Sequence, residues 1–183
     1  MSNNYNIEPI FPIGIYTTNL PSSFLDITKL LDNEKIIINK DKNHYNQYGG
    51  ISEDSYILNN KKYSKIKNYI LSHCKEYGKV VLGLDSEEYI MTQSWITVKP
   101  PKTYHTPHSH SNSIISGVLY YNIYNEDTPG ITFVKDDPSM NFLLQVSQLR
   151  KNKKNKFNSD ELDIKVKSNS LILFPSWLIH GVK

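Results

Sequence analysis

Cysteine and arginine each occur once in this chain, as Cys74 and Arg150, and each scarcity excludes something. A lone cysteine closes no intrachain disulfide, which suits a reducing compartment and leaves burial to hold the fold. A lone arginine leaves one forked cation for gripping a carboxylate or phosphate bidentately. Alanine and glycine are also scarce, while Asn, Lys, Ile and Tyr are abundant, the bias of an AT-rich genome. The formal net charge of +3 therefore says little about partners. No apolar run approaches the roughly 20 residues needed to span a bilayer. The opening "MSNNYNIEP" has neither the basic start nor the apolar centre of a secretory signal. The expectation is a soluble protein with no membrane segment, located in a cytoplasm (the host's, if phage-encoded).

What the chain does have is aromatic residues: 13 Tyr, 6 Phe and 2 Trp among 183 residues. That supply argues for a packed interior and against disorder. One domain over 1–183 is expected, with residues 1–87 as a helical and extended support and 88–183 as the core. "IEPIFPIGIYTTNL" (7–20) reads as extended. "PSSFLDITKLLDNEKI" (21–36) reads as a helix with Phe24, Ile27, Leu30 and Leu31 at helical spacing. The polar stretch 45–54 reads as loop. A second helix is predicted over 63–78, with Ile66, Tyr69, Ile70, His73 and Cys74 near one face. There Cys74 reads as a structural thiol and His73 as a packed helix residue. Beyond residue 87 the period changes. Segments 88–101, 113–123, 130–136, 141–148, 161–167 and 170–177 are short, rich in β-branched and aromatic residues, and separated by turn signals such as "NEDTPG", "DDPS" and "KSNS". Short strands at this spacing predict a mainly β fold with supporting helices (α+β), an antiparallel sandwich or barrel.

The chemistry concentrates in "YHTPHSHSNS" (104–113), which holds three of the six histidines. His108 and His110 are two apart, so on an extended chain both rings point to one face. His105, three residues from His108, falls on the other face or in the preceding turn. His180 ends the last apolar segment, in "FPSWLIHGV". Two histidines on a strand and a third far off in sequence can hold a divalent metal, since neutral imidazole suits Fe, Zn, Ni and Cu. The alternative is a polar loop whose histidines meet water. Trp95 and Trp177 read as packing at the mouth of the barrel, with substrate stacking as the sharper reading. The basic run "RKNKKNKF" (150–157) reads as a solvated loop, with a lid or an anion-binding patch as the alternative. It has little aromatic interleaving, so nucleic acid is not expected.

Taken in series, "H-x-H", "S-x-x-S-G-V-x-Y-Y" and "F-P-S-W-L-x-H" resemble the 2-oxoglutarate and Fe(II)-dependent oxygenase superfamily, in particular an uncharacterised oxygenase group found in bacteria and marine phages. The resemblance covers about residues 88–183 and extends weakly to 7–21. It implies a double-stranded β-helix, or jelly roll, with Fe(II) as cofactor and 2-oxoglutarate as cosubstrate. Carried over by position, His108 is the first metal ligand and His180 the distal one. His110 stands where most of the superfamily has a carboxylate, an exchange seen in the group this chain resembles. Tyr120 is implied as a 2-oxoglutarate contact, with Ser116 on the same face of its strand, where Val118 and Asn122 also fall. An arginine expected about ten residues beyond the distal histidine is missing, because only "GVK" follows His180. The expectation is a jelly roll without its last strand, through truncation of the sequence or with a partner covering the edge. Lys135 is the nearest lysine substitute by position.

Three functions compete at this stage. The first is an oxygenase, acting as a hydroxylase on an unknown substrate. The second is a non-catalytic jelly-roll structural or binding module. The third is a cupin-like metalloprotein using Zn or Mn without 2-oxoglutarate. A homo-oligomer is compatible with all three.

Overall fold

The computed structural model describes residues 6–38, 49–121, 130–137, 139–148 and 150–183. The predicted turn at 125–130 thus falls mostly outside the described residues, as do Asn122, Pro138 of "DDPS" and part of the 45–54 loop. Among the described residues ten strands pair in antiparallel fashion into three sheets, with three α-helices beside them, an α+β architecture.

The first sheet has the order β1-β9-β6, where β1 is Tyr16–Asn19, β6 is Ile115–Tyr120 and β9 is Ser170–Pro175. The second has the order β5-β10-β7-β8, from His105–His108, His180–Val182, Ile131–Val134 and Glu161–Ile164. A third sheet joins β2 (Ile36–Ile38), β3 (Gly50–Ser52) and β4 (Thr97–Val98). The 45–54 stretch predicted as loop therefore contains a strand. Most of 88–101 is irregular, and β4 keeps two residues of the strand predicted there.

Strand β9 organises the interior. It is buried on both sides, and its alternating side chains feed two separate cores. Leu171 and Leu173 turn toward Tyr63, Ile66 and Tyr77, contributed by α2 (Ser64–Val80) and the turn before it, and toward Phe24 and Leu31 beside α1 (Leu25–Leu31). Ile172 and Phe174 turn the other way, toward Ile131 and Phe133 of the second sheet, with Val118 and Tyr120 packed against the same cluster. The layers are helices, first sheet, second sheet.

The second helix forms as its apolar spacing predicts and runs two residues further, to Val80. The first is shorter than predicted, a 3-10 turn at Ser22–Phe24 leading into seven α-helical residues. The segment 141–148, predicted as a strand, is helical: α3 spans Ser139–Val146. The Asp137 carboxylate accepts the Ser139 N–H at 3.0 Å at its start, which favours helix entry. Phe142, Leu143 and Val146 are exposed, so the apolar run meets neither core.

Candidate metal centre

Three loops reach one end of the two facing sheets. They follow β5, β7 and β9, and the end they share is marked by the pairings His180↔His108, His180↔Phe133 and Ile115↔Pro175. His108 closes β5, His180 opens β10, and His110 lies two residues past β5. The His110 N–H donates to the Ser176 carbonyl at 2.9 Å, which ties that loop to the end of β9. Ring centroids lie 5.0 Å apart for His108–His110, 4.4 Å for His108–His180 and 5.2 Å for His110–His180. One ligand nitrogen from each of the three lies within 4.8 Å of the others. These are the three histidines the sequence selects, brought together across some seventy residues of chain.

Hydrogen bonds fix which nitrogen each ring offers. His108 Nδ1 is 2.9 Å from the Thr106 carbonyl, and His180 Nδ1 is 2.9 Å from the Leu178 carbonyl. A carbonyl oxygen only accepts, so each Nδ1 carries the proton and each Nε2 keeps its lone pair for a cation. Both carbonyls belong to the residue two positions earlier, and neither contact depends on the side chain there. The sequence therefore carries no signal for them.

Burial favours the neutral form of His180 and His110. His180, only 6% exposed, has its pKa pushed down to about 4 by burial, with the Leu178 hydrogen bond opposing the shift. His110 is lowered by burial and by neighbouring His108. Neutral imidazole is the metal-binding form. Phe174 and Phe133 pack on the His180 ring at 4.6 and 6.5 Å, so the cluster rests on the inter-sheet core.

His105 departs from its expected place. It pairs with Val182 while His108 pairs with His180, so three steps on β5 match two on β10. This bulge turns His105 onto the face of His108, where the rings stack at 4.4 Å. Its pKa is held down at about 4 by burial first and by Lys99 next. Lys99, which sequence reasoning passed over, donates to the Tyr104 carbonyl at 2.9 Å, and burial lowers its pKa to about 8. Gly181 is required at this crossing, because a Cβ there would sit 2.6 Å from the His105 carbonyl oxygen.

The remaining residues singled out in the sequence divide as follows. Ser116 Oγ lies 2.8 Å from Ser176 Oγ, which also lies 2.8 Å from Ser113 Oγ. Tyr120 packs into the inter-sheet core, where burial raises its pKa. The Trp95 ring is 6.0 Å from that of His110, and Trp177 is exposed. Lys135 is exposed and 3.4 Å from Asp137. His73 is packed away from the site, with Nδ1 2.7 Å from the Tyr16 hydroxyl. Burial pushes the Cys74 thiol up to about 11, which suits an inert packing residue. Among the described residues no helix is long and apolar enough to cross a membrane.

No curated protein matches the chain. Residues 93–183 match the model of the family described as "Putative 2OG-Fe(II) oxygenase", a span that holds all three clustered histidines and the strands that carry them. Through that span the chain belongs to the 2-oxoglutarate and Fe(II) oxygenase superfamily.

Proposed function

We propose that the protein is an Fe(II)- and 2-oxoglutarate-dependent oxygenase, a hydroxylase, built on a double-stranded β-helix. The observation that carries the metal site is the paired Nδ1 contacts of His108 and His180, which leave two Nε2 lone pairs beside a neutral His110. A divalent metal would be held by His108, His110 and His180. Support for the β-helix comes from the two facing antiparallel sheets with the histidines at one shared end. Bound Fe(II) would supply oxygen activation: O₂ and 2-oxoglutarate are consumed, succinate and CO₂ released, and one oxygen atom inserted into a substrate C–H bond.

The protein's own groups do the rest. The Thr106 and Leu178 carbonyls hold two rings in the liganding tautomer. Phe133 and Phe174 exclude water from the His180 side. For the carboxylate far from the metal we place Lys99, a half-buried ammonium close enough to His105 to depress its pKa. It suits a desolvated anion better than exposed Lys135, which already faces Asp137. Tyr120 and Ser116 are the proposed further contacts of 2-oxoglutarate. Three neutral ligands leave two positive charges on a divalent ion, and the all-nitrogen set also suits Zn and Ni.

The test starts with anaerobic titration of Fe(II) or Co(II), followed through the fluorescence of Trp95 and Trp177, the chain's only two tryptophans. Quenching at one metal per chain is expected, and His108→Ala and His180→Ala should abolish it. Fe(II)-loaded protein with 2-oxoglutarate and O₂ should then form succinate, and Lys99→Met should raise the KM for 2-oxoglutarate while leaving Co(II) binding intact. Metal binding without succinate formation would remove the oxygenase reading and keep a metalloprotein.

A further inference from the structure

The loop after β5 and the turn between β9 and β10 approach Leu82 and Leu84, which follow α2, and leave a cleft of about 390 Å³ between them. Ile114, Pro175 and Trp177 complete its apolar lining, and His110 forms part of the wall. Ser111 and Ser113 supply its other polar atoms, and the Ser113 hydroxyl is engaged with Ser176 at 2.8 Å. Among the described residues no charged side chain lines it.

The residues around this cleft set what it could receive. Trp177 and Ile114 are 62% and 67% exposed. Single exposed apolar residues are normal, but apolar residues gathered in a concave site are characteristic of ligand pockets. His110 belongs both to the cleft wall and to the histidine cluster, so a molecule seated there lies beside the candidate metal. Trp95, 40% exposed, stands 6.0 Å ring to ring from the same histidine. The volume falls within the roughly 300–1,000 Å³ of small-ligand sites. A charged group would lose water there, and among the described residues no charged side chain on the walls would offset that loss.

We infer that this cleft is the binding site of the organic substrate, and that the group it receives is uncharged and apolar, an aromatic ring or a compact branched hydrocarbon held against Trp177. The inference rests on the metal-site reading above.

The metal-free chain is titrated with naphthol, naphthoate and naphthylmethylammonium, three probes of one shape and different charge, read by fluorescence anisotropy of the probe. Naphthol should bind at least tenfold more tightly than either ion. Trp177→Ala and Leu84→Glu should each weaken naphthol tenfold or more while leaving circular dichroism and Co(II) binding unchanged. With Co(II) bound, the ring protons of naphthol should broaden in the NMR spectrum. Tighter binding of an ion, indifference to both substitutions, or naphthol signals untouched by Co(II) would each overturn the inference. So would a concentration-dependent dimer that Trp177→Ala dissolves and naphthol does not disturb. If unaltered protein fails to bind Co(II) at all, the metal reading falls and the substrate assignment falls with it. Co(II) binding without naphthol binding removes the cleft assignment alone.

Discussion

The two cores fed by β9 are equally well buried, but they treat their polar atoms differently. On the helix side, the Tyr63 hydroxyl donates to the Leu30 carbonyl at 3.1 Å and the Tyr77 hydroxyl to the Gly14 carbonyl at 2.9 Å. The first ties the turn before α2 to α1, the second ties α2 to the segment before β1, and both partners lie within the fold. On the sheet side, the core ends on His180, whose Nδ1 is committed to Leu178 while its ring lies 4.4 and 5.2 Å from those of His108 and His110. Buried polar groups are normally paired. A ring that is buried, neutral and set beside two others is the departure expected of a ligand-binding site. Equal burial therefore does not mean equal purpose, and the two regions should answer differently to substitution.

The largest separation should come from His180→Ala, which is expected to lower Co(II) affinity by more than 100-fold, read by fluorescence titration. Tyr77→Phe on the helix side should leave that affinity within twofold. Phe174→Ala comes next. Removing a buried aromatic costs about 3–5 kcal/mol, and because this ring supports His180, denaturant unfolding and metal titration should both shift. Leu173→Ala, one residue away on the opposite face, should cost about 2–5 kcal/mol of stability with metal affinity unchanged. A parallel loss of metal binding would mean the two cores are coupled through β9. Gly181→Ala should force β10 away from β5 and weaken Co(II) while the helix-side core keeps its tyrosine packing, seen in the near-ultraviolet circular dichroism.

A smaller effect separates the regions by pH. His180 and His105 are held at about 4, against an ordinary value of 6.5, by burial. Unfolded chain takes up protons first as pH falls below about 6.5, so the fold loses stability from there down to about 4 and is unaffected above. Metal-free protein should unfold at lower denaturant at pH 5 than at pH 7. His105→Gln should flatten that slope, and Tyr77→Phe should leave it as it is.

Much of this arrangement was legible in the chain. Short β-branched and aromatic runs bounded by turn signals, "SLILFPS" and "SIISGVLYY", marked β9 and β6, and the 3.6-residue period of Ile66, Tyr69, Ile70 and Cys74 marked α2, because burial of one helix face writes its spacing into the residues. The three histidines of the cluster stand out in the chain by spacing and motif, and the fold brings them together. What misled was local: "NFLLQVSQ" is an apolar run too short to distinguish strand from helix by composition, and the Asp137 contact with Ser139 favours the helix.

The sequence by itself determined where the helical period gives way to short β-rich runs, and which three histidines to group, since these follow from residue identity, spacing and motif resemblance. Tertiary structure alone decided the rest. It placed His110 past the end of β5 instead of within it, with its N–H on the Ser176 carbonyl. It set the bulge that turns His105 onto His108, chose the carbonyls that fix two tautomers, and brought Lys99 up behind them. Register, backbone carbonyls and the proximity of distant segments are properties of the folded backbone, and no side-chain identity encodes them one residue at a time.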